Sequence, residues 1–166
     1  MIKGINQFCW PDSVSLLDAM KQAAHLGFES FEICMTDADN SRVINGNADS
    51  LGIASYNNPL FNTTSDFKDY KKIKSIADEE GIRISGIGSI LTFTSYPITS
   101  KDKKIVSKGI DSINKMIEAA EFLCADTVLI IPGVMEPDMD YERGYHRAQD
   151  AIAKAAENAE KSGVTL

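Results

Sequence analysis

The chain has 166 residues, 43% of them hydrophobic and 25% charged. That is an ordinary globular composition, enough for one sizeable core but short of the roughly 250 residues of a complete (β/α)8 barrel. The net charge of −7 opposes binding to nucleic acid phosphates. No apolar run reaches the roughly 18 residues of a membrane span.

In chain order, the first strand is expected over residues 2–9. Asn6, Phe8 and Trp10 fall at its end on alternate positions, and so on one face. Ser13 then caps a helix whose apolar face carries Leu16, Leu17, Met20, Ala23 and Ala24. His25 sits in its last turn, where a cation suits the helix dipole. Gly27 ends it, and residues 30–35 form a second strand. Within that strand Glu32 is a lone carboxylate among apolar neighbours. Such a group is costly to bury unpaired, so it faces a polar cavity or a salt-bridge partner.

Asn62-Thr63-Thr64 matches a glycosylation sequon, idle without a secretory signal, and none opens the chain. A second helix places Phe67, Tyr70, Ile73, Ile76 and Ala77 on one stripe and stops at Gly81. The third strand covers 82–87, followed by Ser89, Leu91, Phe93 and Tyr96. Gly86-Ile87-Gly88 lacks the third glycine and the prompt helix of a dinucleotide fingerprint. The third helix carries Ile105, Val106, Ile110, Ile113, Met116, Ile117, Ala120 and Leu123. Lys101, Lys103, Lys104 and Lys108 near its start read as a solvated face.

Cys124 stands where the other helices have a glycine stop, and the fourth strand spans 126–131 before Pro132-Gly133. A fourth helix, with Glu142 and Arg143 near its start, presents Ala148, Ile152, Ala155, Ala156 and Ala159. After Gly163, residues 164–166 open a fifth strand. Cys9, Cys34 and Cys124 form no CxxC pair and read as reduced, packed thiols of a cytoplasmic protein. His25 and His146 fall on helices, away from strand ends, and read as surface or capping residues.

Strict alternation of short apolar strands with long helices means parallel strands joined by crossovers. Two architectures fit: an open doubly wound sheet, with an anion site at the Gly86–Gly88 turn, and a (β/α)8 barrel. The recurring helix stops favour the barrel, with four β/α units and the start of strand five, so that residues 1–166 read as the N-terminal part of one barrel truncated in strand five. Open strand edges then invite self-association into a homo-oligomer. Barrel chemistry sits where strands give way to loops. The candidate substrate-binding residues are therefore Asn6, Phe8, Trp10, Glu32, Ser89 and Pro132. Trp10 is either a stacking wall for a sugar or a core aromatic.

The segment Gly27-Phe28-Glu29-Ser30-Phe31-Glu32-Ile33 resembles the Gly-aromatic-x-x-φ-Glu-φ stretch (φ apolar) of the xylose-isomerase-like sugar epimerases and isomerases. Tyr96-Pro97-Ile98-Thr99-Ser100 through Lys108-Gly109-Ile110 resembles their third loop and helix. Ala125-Asp126-Thr127-Val128-Leu129-Ile130-Ile131-Pro132-Gly133 resembles their fourth strand. The nearest likeness is to the sugar phosphate isomerase/epimerase group, which includes ketose 3-epimerases.

The resemblance implies an enzyme that moves a proton beside a sugar carbonyl through a cis-enediolate. A divalent metal (Mn, Mg, Co or Zn) is implied at the ends of strands five to eight, on two Glu, one Asp and one His or Gln. None of those ligands falls within residues 1–166, so the resemblance implies no catalytic or metal residue in this chain and no turnover by it alone. It places Phe8, Trp10, Glu32 and Pro132 near a sugar or sugar phosphate. The alternative is a non-catalytic half-barrel serving as a binding or interaction module. A kinship to AP endonucleases, which use His at the ends of strands three and four, is opposed by Gly86-Ile87-Gly88-Ser89 and Ile130-Ile131-Pro132-Gly133, neither of which contains His.

Overall fold

The computed structural model describes residues 1–11, 13–38, 58–135 and 138–166. Strand β1 (Gly4–Asn6) leads through a 3-10 turn (Gln7–Cys9) to helix α1 (Leu16–His25) and strand β2 (Ser30–Met35). Helix α2 (Phe67–Glu80), strand β3 (Arg83–Ser89), the short helix α3 (Leu91–Thr94) and the long helix α4 (Lys103–Leu123) follow. Strand β4 (Thr127–Val128) and helix α5 (Tyr141–Ser162) complete the order. The strands lie in the sequence β1-β2-β3-β4, all parallel. Thr127 bridges in parallel to Thr165, and Val128 N–H donates to Thr165 O at 2.8 Å. The strand expected over 164–166 therefore takes the next place in the sheet.

The helices end as their small residues predict. Gly27, Gly81 and Gly163 have φ of 82°, 65° and 66°, and Cys124 does the same with a φ of 56°. A non-glycine residue there carries a Cβ penalty. Helix α1 begins later than expected. Its cap is Ser15, whose hydroxyl accepts from Asp18 N–H, rather than Ser13. Strand β1 is shorter than expected because the 3-10 turn takes over at Gln7.

Strand β4 is also shorter than 126–131, and the competition is visible. Thr92 Oγ1 donates to Ile131 O at 2.6 Å, and Ile98 N–H donates to Pro132 O at 3.0 Å. Those carbonyls bind the α3 segment and the loop after it, not a neighbouring strand. The expectation of three packed thiols also fails. Cys34 is buried, whereas Cys9 on the 3-10 turn and Cys124 at the helix stop are exposed.

The two faces of the sheet differ. Phe31, Ile33, Met35, Ile84, Ile87 and Val128 are buried in one core with Leu16, Met20, Tyr70, Ile73, Ile113 and Met116 from the helices. Alternation sends their neighbours the other way. The opposite face carries Asn6, Glu32, Gly86 and Thr127, aligned by the strand register. An open doubly wound sheet would be apolar and helix-covered on both faces. One apolar face, one polar face and sequential strand order give a partial (β/α)8 barrel, with the polar side as its interior.

Candidate functional site

Glu32 occupies the middle of β2, between Asn6 of β1 and Gly86 of β3. Asn6 Nδ2 donates to Glu32 Oε1 at 2.8 Å, while Asn6 Oδ1 accepts from Phe8 N–H at 2.8 Å. The second bond fixes which way the amide points, so the donor is held on the carboxylate. Glu32 makes no ion pair among the described residues. A carboxylate with a neutral partner and one uncommitted oxygen, half-buried on a polar face, can accept from a hydroxyl-bearing ligand.

The two glycines of β3 are buried on that face and make room for the side chains of their neighbours on β2 and β4. A Cβ at Gly88 would stand 3.1 Å from Glu32 Oε1, and one at Gly86 would stand 2.6 Å from Thr127 Oγ1. Gly86-Ile87-Gly88 is thus extended strand inside β3 and not a phosphate-cradling turn, which removes the reason for a dinucleotide site there. Leu129, just beyond β4, is 54% exposed, and a Cβ at Gly88 would lie 4.0 Å from its Cδ2. The face therefore offers a carboxylate, an amide and one aliphatic side chain.

The remaining sequence candidates scatter. Phe8 is exposed on the 3-10 turn. Trp10 lies with its ring centroid 5.4 Å from that of Phe31 and donates from Nε1 to Gln22 Oε1 of α1 at 2.9 Å. Phe31 points to the helix-covered face, so Trp10 packs on the side opposite Glu32. The expectation that Asn6, Phe8 and Trp10 share one face fails because the 3-10 turn interrupts the two-residue period. Ser89 is buried, donates to Met35 O at 3.0 Å and accepts from Leu91 N–H at 3.0 Å, which ties the end of β3 to β2 and α3. Pro132 is half-buried and holds the loop after α3 through Ile98. His25 Nδ1 lies 3.0 Å from Lys21 O, and His146 Nδ1 lies 3.1 Å from Gln149 Oε1, both on exposed helix surface.

Two groups, Gln7 and Asp37, escaped the sequence reading. Gln7 is 1% exposed and its Oε1 accepts from Cys34 N–H at 2.8 Å, closing the 3-10 turn onto β2. Asp37, buried just past β2, accepts from Tyr96 Oη at 2.9 Å and from Thr63 Oγ1 at 3.3 Å. Its position after a strand end was the available signal. Cys34 is pushed up to about 12 by burial and then by the charge of Glu32, so its thiol stays protonated at neutral pH. Among the described residues no three His, Cys, Asp or Glu side chains converge to hold a metal ion. Glu32 is bound to a neutral amide and belongs to no such group, so the described residues do not assemble a divalent metal centre. No helix among them is long and apolar enough to cross a membrane.

The chain is similar in structure to D-psicose 3-epimerase with D-tagatose from Clostridium cellulolyticum H10, at 17% identity and a TM-score of 0.68, covering 99% of this chain and 50% of that one. It is similar to an L-ribulose 3-epimerase at 22% identity and a TM-score of 0.65, covering 100% and 48%. It is also similar to an IOLI protein with a binding zinc atom, at 16% identity and a TM-score of 0.67, covering 99% and 49%. The chain thus spans about half the length of these solved relatives. No curated protein matches it. The family model for the xylose isomerase-like TIM barrel matches residues 20–166. With the parallel strands, the one-sided core and the inward carboxylate already described, that match assigns the chain to the xylose isomerase-like TIM barrel family.

Proposed function

We propose that this chain forms one wall of the carbohydrate pocket of a sugar or sugar-phosphate isomerase/epimerase. The observation that carries the reading is the Asn6–Glu32 pair on the open polar face of a family barrel. Glu32 would accept a hydrogen bond from a sugar hydroxyl through its uncommitted oxygen. A hydrogen bond to a charged group contributes about 1.5–3 kcal/mol. Asn6 holds the carboxylate in place, and Gly86 and Gly88 give the side chains of Thr127 and Glu32 the room they occupy beside β3. Leu129 gives its apolar face something to cover.

Proton transfer beside the carbonyl, and the divalent metal that would polarise it, require groups that the described residues do not assemble. The 166-residue chain by itself is therefore expected to bind weakly and not to turn over. The zinc in one structural relative and the D-tagatose in another support the class of chemistry and of ligand.

Saturation-transfer NMR with D-tagatose tests the reading. The wild-type chain should show transfer to the sugar protons, and Glu32→Gln should reduce it severalfold while leaving the far-UV spectrum unchanged. Equal transfer to both proteins would remove Glu32 from the pocket. A folded wild-type chain with no transfer would favour a non-catalytic module.

A further inference from the structure

We propose that the groove between α4 and α5 binds a small phosphorylated molecule, at a site separate from the face that holds Glu32. The groove is a cavity of about 570 Å³ lined by Ser100, Lys101, Lys103, Val106, Ser107, Ile110, Arg147, Asp150 and Lys154. That volume lies in the range of small-ligand sites. Four of its nine lining residues are cations, on a chain whose net charge is −7. The sequence shows only a run of lysines at a helix start. The fold brings Arg147 and Lys154, more than forty positions later, across the groove from them.

Among the described residues three of the four cations are not spent on carboxylates; the exception is Lys101. Lys101 donates to Asp138 Oδ2 at 2.6 Å. Lys103 and Lys154 make no ion pair or hydrogen bond among the described residues, and neither does Asp150. Arg147 Nη1 donates to Thr99 O at 3.1 Å, which anchors the guanidinium and leaves its other N–H donors without a partner among the described residues. Three cations without an ion pair among the described residues thus line the groove with one carboxylate that likewise has none. Ser100, 5% exposed, accepts from Asp102 N–H at 3.1 Å, and its own hydroxyl proton meets no acceptor among the described residues. Ser107 adds a second hydroxyl one turn beyond Lys103 on α4.

Lysine, arginine and hydroxyl donors converging from two helices suit the several oxygens of a phosphate or diphosphate better than a single carboxylate. Val106 and Ile110 provide an apolar floor for the remainder of such a molecule. A groove of this size fits a small molecule rather than a flat acidic protein surface.

The test uses inorganic pyrophosphate as the probe, titrated into the ¹⁵N-labelled 166-residue chain. Saturable shifts are expected at the amides of Ser107, Ile110 and Asp150, weakening as salt is raised. The double variant K103A/K154A removes two exposed lysines from helix surfaces and should raise the dissociation constant at least about tenfold. The control K72A/K74A on α2 should bind as wild type, and so should Glu32→Gln, which separates this site from the carbohydrate reading. No saturation below about 10 mM, or equal binding by wild type and K103A/K154A, would overturn the proposal. Equal weakening in K72A/K74A would also overturn it, by showing that the anion senses only the overall charge.

Discussion

Trp10→Ala decides whether the single tryptophan is a pocket wall or part of the packing between β2 and α1. The substitution removes the tilted contact with Phe31 at 5.4 Å, the indole bond to Gln22 at 2.9 Å and the indole surface packed against the core. A fully buried Trp→Ala change costs about 3–5 kcal/mol. Trp10 is half-buried, which halves that to about 2 kcal/mol, and the exposed hydrogen bond adds about 0.5 kcal/mol. For a chain of this length, about 2.5 kcal/mol corresponds to a fall in Tm of about 5–10 °C. Trp10→Phe keeps a ring against Phe31 and should lose about half as much. Phe8→Ala, at a ring already 42% exposed, should shift Tm by less than about 3 °C. Because Trp10 is the only tryptophan, the melts are followed by far-UV circular dichroism. A Trp10→Ala melt within about 2 °C of wild type, with Phe8→Ala the larger of the two effects, would refute this placement.

Cys34 should resist alkylation in the folded chain while Cys9 and Cys124 react, so timed mass spectrometry should show two rapid adducts and a third only in denaturant. Its thiol, at about 12 in the native state against an ordinary 9.0, keeps its proton where the unfolded chain loses it. That contribution is complete below pH 9 and is lost between pH 9 and 12, amounting to about 1.4 kcal/mol by pH 10. Cys34→Ala should flatten this part of the pH dependence in urea titrations. Cys124→Gly relieves the left-handed strain at the α4 stop and should stabilise the chain by about 0.5–1 kcal/mol in the same assay. Gly109→Ala should destabilise it by about 1–3 kcal/mol, since the new Cβ would lie 2.5 Å from Tyr96 O and 2.6 Å from Ile98 Cγ2.

Local signals carried the architecture. Ala-to-Gly spacings mark helix ends because only a residue tolerant of φ near 60° can turn the chain back to the sheet, and Cys124 fits the same slot at a cost. The apolar run of β2 stands at the expected residues because both its edges pair and its outward side chains bury completely. Glu32 was legible for the complementary reason: a charge in such a run needs a polar face.

What failed were expectations that depended on where one element yields to another. Alternation was extended past Asn6 into a 3-10 turn, which sent Trp10 to the wrong side. The cap expected at Ser13 falls at Ser15, where the Ser-x-x-Asp spacing to Asp18 carries the capping signature and the structure joins those two side chains at 2.7 Å. The contact of Asp37 with Tyr96 and the lining of one groove by Lys103, Arg147 and Lys154 bring together residues distant in sequence. No local pattern encodes them.

Residue-resolved mapping of a ketohexose on the ¹⁵N-labelled chain asks whether the polar face of the sheet is where sugar binds. Titration with D-tagatose should move the side-chain amide of Asn6 and the backbone amides of Glu32, Gly86 and Gly88 together along one binding curve, and Glu32→Gln should suppress all four. Shifts confined to the helix-covered side around Trp10 and α1, or shifts unchanged by Glu32→Gln, would contradict it.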